Sequence, residues 1–477
     1  MAIQFTERFM FHEPLKPQHV AAAREILSAT ALCVLFLIGF IDFFALTPPG
    51  RYILDKVNFI DIKKTDLAAG LKSFQEKFYG KRFELFALTI GAGILLLAVA
   101  RAANICMTYD EAATYINYVQ RDFIKGMLSR QFLNNHILNS LLIRFSCFVS
   151  QTQYDEFFIR LPNLIFYGAY ILFAFRIARS TDHPYIIFIL CVSNYYLNEF
   201  SSLARGYGMA AACMLGTLYY FDLLRNDIHN KKILHLFFLW ASLAALANGI
   251  TLYTLCGLLL LMVILYRIHI VKLSLCPYFL ILAFSAAFVM IMGRQGRPVA
   301  STHDFFDSIT IAPFGTFSLN TYAVTLGVSV LFQVLVIFNL FKSRFRNDYA
   351  LIYIIFLGVS LLSNALFHRG YPISREMIPF YPVVVYIIKD AIDFCKETRV
   401  KKTGLCILGI VLCLQFVLQI NIRYIPEWGN DYRIRREVLE YINRKGRESA
   451  AYRQFIDNYG NPAADFYDQK YDLFLED

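Results

Sequence analysis

Charge is what this sequence has least of. Only 17% of its 477 residues are charged, and 57% are hydrophobic, whereas a soluble globular domain carries about 25% charged residues. An ordinary soluble enzyme is therefore excluded, and a polytopic membrane protein is expected. Tryptophan is nearly absent, at 2 residues, but 45 Phe and 30 Tyr are present to form interfacial belts and line a cavity. The ten cysteines contain no CxxC pair and no ligand spacing, so neither a zinc ribbon nor a thioredoxin-type redox site is expected. Cys33, Cys191, Cys213, Cys256, Cys406 and Cys413 lie in apolar runs as small hydrophobes, while pairing of Cys106 with Cys147 is left open. No Asn-x-Ser/Thr acceptor occurs, which leans towards a bacterial protein. Residues 1–24 carry Glu7, Arg8, His12 and Lys16 without an apolar core, so no cleavable leader is expected. The net charge of +10 is assigned to cytoplasmic loops, and no nucleic-acid partner is expected.

What is abundant is the hydrophobic run. Candidate spans fall at 26–47, 85–103, 161–178, 184–200, 207–224, 233–248, 250–266, 277–293, 321–341, 349–367, 377–394 and 404–421. The expected fold is all-α, a bundle of about 12 transmembrane helices. Loop 48–84 is rich in Lys and Arg, including Lys63, Lys64, Lys81 and Arg82, which places it inside and the N-terminus outside. Alternation then puts Arg176/Arg179, Arg225/Lys231/Lys232, Arg267/Lys272, Lys342/Arg344/Arg346 and Lys389–Lys402 inside as well. Every one of these loops is basic. Residues 105–160 become one external excursion. Its stretches 112–128 and 137–149 have helical apolar stripes but are broken by polar residues such as Arg144, which predicts interfacial helices rather than spans. Three regions follow: 1–84, an extra span with its basic loop; 85–421, the main membrane domain; and 422–477, a charged external segment.

Within the excursion, Asp110 and Glu111 are adjacent. Two neighbouring carboxylates ionise less readily than one, so they suit a general base with an assisting partner. The same residues also read as a capping box, with Thr108 at the N-cap and Glu111 three residues on. Both roles are compatible. His136, beside Asn134 and Asn135, suits a sugar or a metal ion. No second ligand stands at metal spacing, so no metal site is assigned and a divalent cation is left open. Arg160, Arg205, Arg369 and Arg375 fall at external helix ends, where snorkelling to lipid headgroups is the plain explanation. Two of them stand in Arg-Gly-Tyr, with Tyr207 and Tyr371, where glycine allows close approach and the ring can stack on a sugar or prenyl chain. Guanidiniums with a carboxylate suit a substrate bearing phosphate. Loop 294–320, with His303, Asp304 and Asp307, is long enough to cover such a cavity.

Residues 85–390 resemble the GT-C superfamily of integral-membrane glycosyltransferases, which includes protein O-mannosyltransferases and lipid A aminoarabinose transferases. The resemblance rests on Asp110-Glu111-Ala112-Ala113 with Tyr115, on Asn135-His136 with Leu138, on Arg160-Leu161-Pro162 and on Arg205-Gly206-Tyr207. It departs from many members in lacking two prolines after the histidine and in having the extra span at 26–47. The resemblance implies transfer of a sugar from a polyprenyl-phosphate donor to a lipid, glycan or protein acceptor, with inversion, on the external face of a bacterial inner membrane. It implies Asp110 as the base, Glu111 as its assistant, and the arginines, foremost Arg205 and Arg375, as holders of the phosphate leaving group. A lipid transporter would instead show charged or broken helices at mid-membrane in two related halves. A scaffold would tolerate loss of Asp110.

Overall fold

The computed structural model describes residues 82–120, 136–227, 230–264, 283, 322–344, 347–367, 374–395, 398–420, 422, 463, 466–467 and 469–470. The chain divides into two compact units, Met1–Leu88 and Thr89–Asp477. The expected span 26–47, nearly all of loop 48–84, the expected span 277–293 apart from residue 283, and loop 294–320 lie outside the described residues.

The described residues are almost wholly helical and contain no strand. Helix α1 is Arg82–Asn104, and α2 is the short Tyr109–Thr114, which runs into a π-helical turn at Tyr115–Val119. Then follow α3 (Ile137–Ser150), α4 (Glu156–Arg179), α5 (Pro184–Val192), α6 (Tyr195–Ser201), α7 (Gly206–Asn226), α8 (Lys231–Ala247) and α9 (Thr251–Ile264). After them come α10 (Tyr322–Lys342), α11 (Asp348–Phe367), a 3₁₀ turn (Ser374–Phe380), α12 (Tyr381–Phe394) and α13 (Arg399–Gln419). Four segments, Phe83–Asn104, Glu156–Arg179, Asp348–Ala365 and Lys401–Gln419, are long and apolar enough to cross a membrane. That is the architecture of an α-helical membrane protein. The other expected spans within the described residues form helices that are shorter or less apolar.

Three expected boundaries are corrected by local chemistry. The stretch 184–200 is not one helix: Asn194 Oδ1 accepts the Leu197 N–H at 3.0 Å and starts α6 as a new helix. The stretch 377–394 begins as a 3₁₀ turn containing Pro379, with Pro382 in the first turn of α12. Helix α4 starts before residue 161, because Asp155 caps it by accepting the Phe157 and Phe158 N–H groups at 2.9 and 3.2 Å. Pro162 inside α4 cannot donate to the Phe158 carbonyl, and Ser146 Oγ on α3 donates to it instead at 2.7 Å.

Helix α7 is the centre of the second unit. Both α4 and α8 pack on it, and its buried Gly208 lies so close to Ser201 of α6 that a Cβ there would stand 2.8 Å from the Ser201 Cα. At Gly216 a Cβ would stand 2.9 Å from both the Phe173 and the Trp240 rings. Helix α3 is built the other way round from a helix in water. Asn139, Ser140 and Ser146 are buried against protein, while Phe145, Phe148 and Val149 are exposed. The ends of the helices also differ. The end of α1, the start of α4 and the start of α7 gather at Met107–Glu111. The far end of α7 meets the start of α11, where Arg225 Nε pairs with Asp348 at 3.0 Å and the Tyr349 hydroxyl donates to Asp222 at 3.0 Å.

Candidate functional site

The site is built from Thr108 outward. Thr108 is extended, its Oγ1 accepts the Glu111 N–H at 3.2 Å, and its own N–H donates to Glu111 Oε2 at 3.0 Å. This is the reciprocal capping box read from the spacing. Glu111 is buried and accepts much more. Arg160 grips it bidentately, Nε to Oε1 and Nη2 to Oε2, both at 2.8 Å, and the Ala204 N–H donates to Oε1 at 2.6 Å. Burial alone would raise the Glu111 pKa. The Arg160 charge and hydrogen bonds, with the two amides, outweigh burial and hold it below the usual carboxylate range.

Arg160 has no N–H left for a phosphate. Its Nη1 donates to the Ala102 and Ile105 carbonyls at 2.9 and 2.5 Å, and its Nη2 also donates to the Cys106 carbonyl at 3.0 Å. All five guanidinium N–H groups are thereby committed. The sequence reading gave Arg160 to the substrate and Glu111 to catalysis. The geometry makes them instead a buried tie between the start of α4, the end of α1 and the start of α2.

Asp110 points elsewhere. Its Oδ2 lies 3.1 Å from Arg205 Nη2 and 3.8 Å from Arg375 Nη2, the latter on the 3₁₀ turn. Arg205 is fully buried between Asp110 and the Tyr207 ring, whose centroid is 5.3 Å from the guanidinium carbon. Its Nε and Nη1 are buried with no hydrogen-bond acceptor. His136 packs edge-on against Tyr207, with ring centroids 4.9 Å apart. Its Nδ1 lies 3.1 Å from the Ala247 carbonyl, so Nδ1 carries the proton and Nε2 keeps a lone pair. Burial, with the Arg205 guanidinium and then Arg375 nearby, pulls its pKa down to about 3, so the ring is neutral. Nε2 is buried without a partner. Gly206 makes this packing feasible, since a Cβ there would stand 2.3 Å from the Ala247 carbonyl oxygen and 2.7 Å from His136.

The structure thus gathers Asp110, His136, Arg205, Tyr207 and Arg375 around one point, with Glu111 and Arg160 as the tie beneath. Asn135, Arg369 and Tyr371 lie outside the described residues. The divalent cation left open above does not fit the described residues, because Asp110 and His136 both face the two guanidiniums. No group of three His, Cys, Asp or Glu side chains able to hold a metal ion occurs among them.

Sequence reasoning missed three features. Asn139 Nδ2 donates to the Ala204 carbonyl at 2.9 Å, so Ala204 is held on both sides just before Arg205. A second buried pair, Arg101 Nη2 and Glu199 Oε1 at 3.7 Å, ties α1 to α6, with Arg101 Nη1 donating to the Tyr195 hydroxyl at 2.5 Å. The signal for it was present: each charge interrupts an apolar run. The third is the packing of Ala463, Phe466 and Tyr467 on Met107, Ala112 and Tyr115. No family model matches the chain, and no curated protein or solved structure does either.

Proposed function

We propose that the chain is an integral-membrane glycosyltransferase of the GT-C type, taking a sugar from a polyprenyl-phosphate donor. The observation that carries this reading is Asp110 held by two guanidiniums, one of which has two further buried nitrogens, Nε and Nη1, without an acceptor. An arginine so placed suits a phosphate oxygen, because a buried, unsatisfied donor costs about 1–3 kcal/mol and a bidentate phosphate contact removes that penalty.

In the proposed reaction the acceptor hydroxyl or amine gives its proton to Asp110 as its oxygen or nitrogen attacks the anomeric carbon. The bond from that carbon to the phosphate oxygen breaks, and the polyprenyl phosphate leaves with the electron pair. Arg205 and Arg375 then stabilise the charge on the leaving phosphate, and the anomeric centre inverts. Their shift towards phosphate loosens their hold on Asp110 and frees its carboxylate for the acceptor. Neutral His136 offers the Nε2 lone pair to a sugar or acceptor hydroxyl. Glu111 and Arg160 act as positioning residues. The basic far ends of the helices support an external, periplasmic location for this end of the bundle in a bacterial inner membrane.

The reading is tested with the part common to every such donor, a polyprenyl monophosphate. It is expected to raise the melting temperature of the detergent-solubilised chain and to lose that effect in Arg205→Gln. Equal stabilisation of both proteins would remove Arg205 from the phosphate site.

One observation favours a transporter instead: the break between α5 and α6 at Ser193-Asn194 opens backbone inside an apolar stretch. Transport that survives Asp110→Asn would support that reading.

A further inference from the structure

The Met107–Glu111 segment has a difficulty that its own sequence does not solve. Helix α2 has only six residues, too few to be stable alone. The amide before its cap, on Met107, belongs to a residue only 1% exposed and needs an acceptor. That acceptor comes from the other end of the sequence. The Tyr467 hydroxyl accepts the Met107 N–H at 2.7 Å and donates to Glu156 Oε1, the first residue of α4, at 3.3 Å.

The neighbours of Tyr467 extend the same grip. Phe466 packs edge-on against Tyr115 and Tyr154, with centroids 5.5 and 5.6 Å apart, and Ala463 is buried in the same cluster as Met107, Ala112 and Tyr115. Gln469 Oε1 accepts from the Tyr154 hydroxyl at 2.7 Å and from Gln120 Nε2 at 3.1 Å, just past the π-helical turn. Lys470 pairs with Glu156. The residue before the cap, the residue after the π-helical turn and the first residue of α4 are therefore all held by one short stretch. Burial raises the Tyr467 pKa, so the hydroxyl keeps the proton it donates.

We infer that Ala463, Phe466, Tyr467, Gln469 and Lys470 form a strap that fixes the carboxylate segment, with Tyr467 as the positioning residue that holds Asp110 in register with Arg205. The bearing on transfer rests on the glycosyltransferase reading; the strap itself does not. A tail that only fills space would owe its effect to the Phe466 and Tyr467 rings and not to the hydroxyl. Tyr467→Phe separates the two, because it keeps both rings and removes only the oxygen.

The first readout is hydrogen exchange of the full-length chain, followed on peptides covering Met107. Tyr467→Phe is expected to speed exchange there by roughly tenfold, the scale of one lost hydrogen bond. Exchange on α8 is expected to stay as in the wild type. The second readout splits binding from turnover. Affinity for polyprenyl monophosphate is expected to stay unchanged, while cells carrying the variant accumulate polyprenyl-phosphate sugar. Lys470→Ala, which removes the pair with Glu156 and the ammonium over the Tyr467 ring, is expected to move the Met107 peptides in the same direction by a smaller factor. It also serves if Tyr467→Phe fails to fold. Unchanged exchange at Met107 in these variants overturns the strap. Faster exchange with undiminished turnover overturns the positioning role. If even Asp110→Asn accumulates no donor, the glycosyltransferase reading falls while the exchange result still decides the strap.

Discussion

Replacing Glu111 by glutamine removes one charge from a pair in which both side chains are fully buried, and leaves Arg160 charged without its hydrogen-bonded counter-ion. The expected loss is about 3–5 kcal/mol, typical of breaking a buried pair from one side. Asp110→Asn is expected to cost much less, since Asp110 keeps some exposure and an amide oxygen can still accept from Arg205. Denaturation of the two variants in detergent checks the contrast. The acid limb follows the same residue. Because Glu111 is held below its ordinary pKa, its contribution is complete above the unfolded value of about 4.3. That contribution is lost as pH falls through the lower folded value. Glu111→Gln should lack this component of acid destabilisation. Thr108 and Glu111 were legible as a capping box because a cap is local, three residues long. The partner of Glu111 was not, because Arg160 is distant in sequence and nothing in its neighbours says which carboxylate it meets.

The helices show where local chemistry overrides a hydropathy pattern. Apolar content alone joins 184–200 into one span, but the side chain of Asn194 offers the backbone a cap and divides it. On α4, Pro162 stays inside the helix because Ser146 from α3 supplies the bond that the ring removes. Ser146→Ala is therefore expected to destabilise the chain by about 1–2 kcal/mol, the range for a carbonyl left without its donor. Paired with Pro162→Ala, which restores the helical N–H, the loss should largely disappear. A double-mutant cycle on melting temperature measures this coupling. Helix α3 is legible as amphipathic from its apolar stripe, but the sequence does not say what its polar residues meet. The structure turns those polar residues onto Ala204, Phe158 and Tyr118 and exposes the phenylalanines. In a lipid environment this is the arrangement that satisfies both faces.

At the scale of the whole chain, the Lys and Arg of successive loops lead to the expectation that the Asp110 end faces outside. In the structure, Arg205 and Arg375 meet Asp110 at one end of α7, and Arg225 meets Asp222 and Asp348 at the other. The role of the last residues was not readable, because Tyr467 and Met107 are brought together by the fold alone. The central claim is that Asp110 is the base in a transfer from a polyprenyl-phosphate sugar. The most direct measurement is mass spectrometry of polyprenyl-phosphate sugars in cells lacking the chain, complemented at equal expression with the wild type or with Asp110→Asn. Accumulation of one such sugar with Asp110→Asn and not with the wild type is expected, and its mass would identify the sugar class. A donor pool that responds neither to the deletion nor to the substitution would contradict the claim.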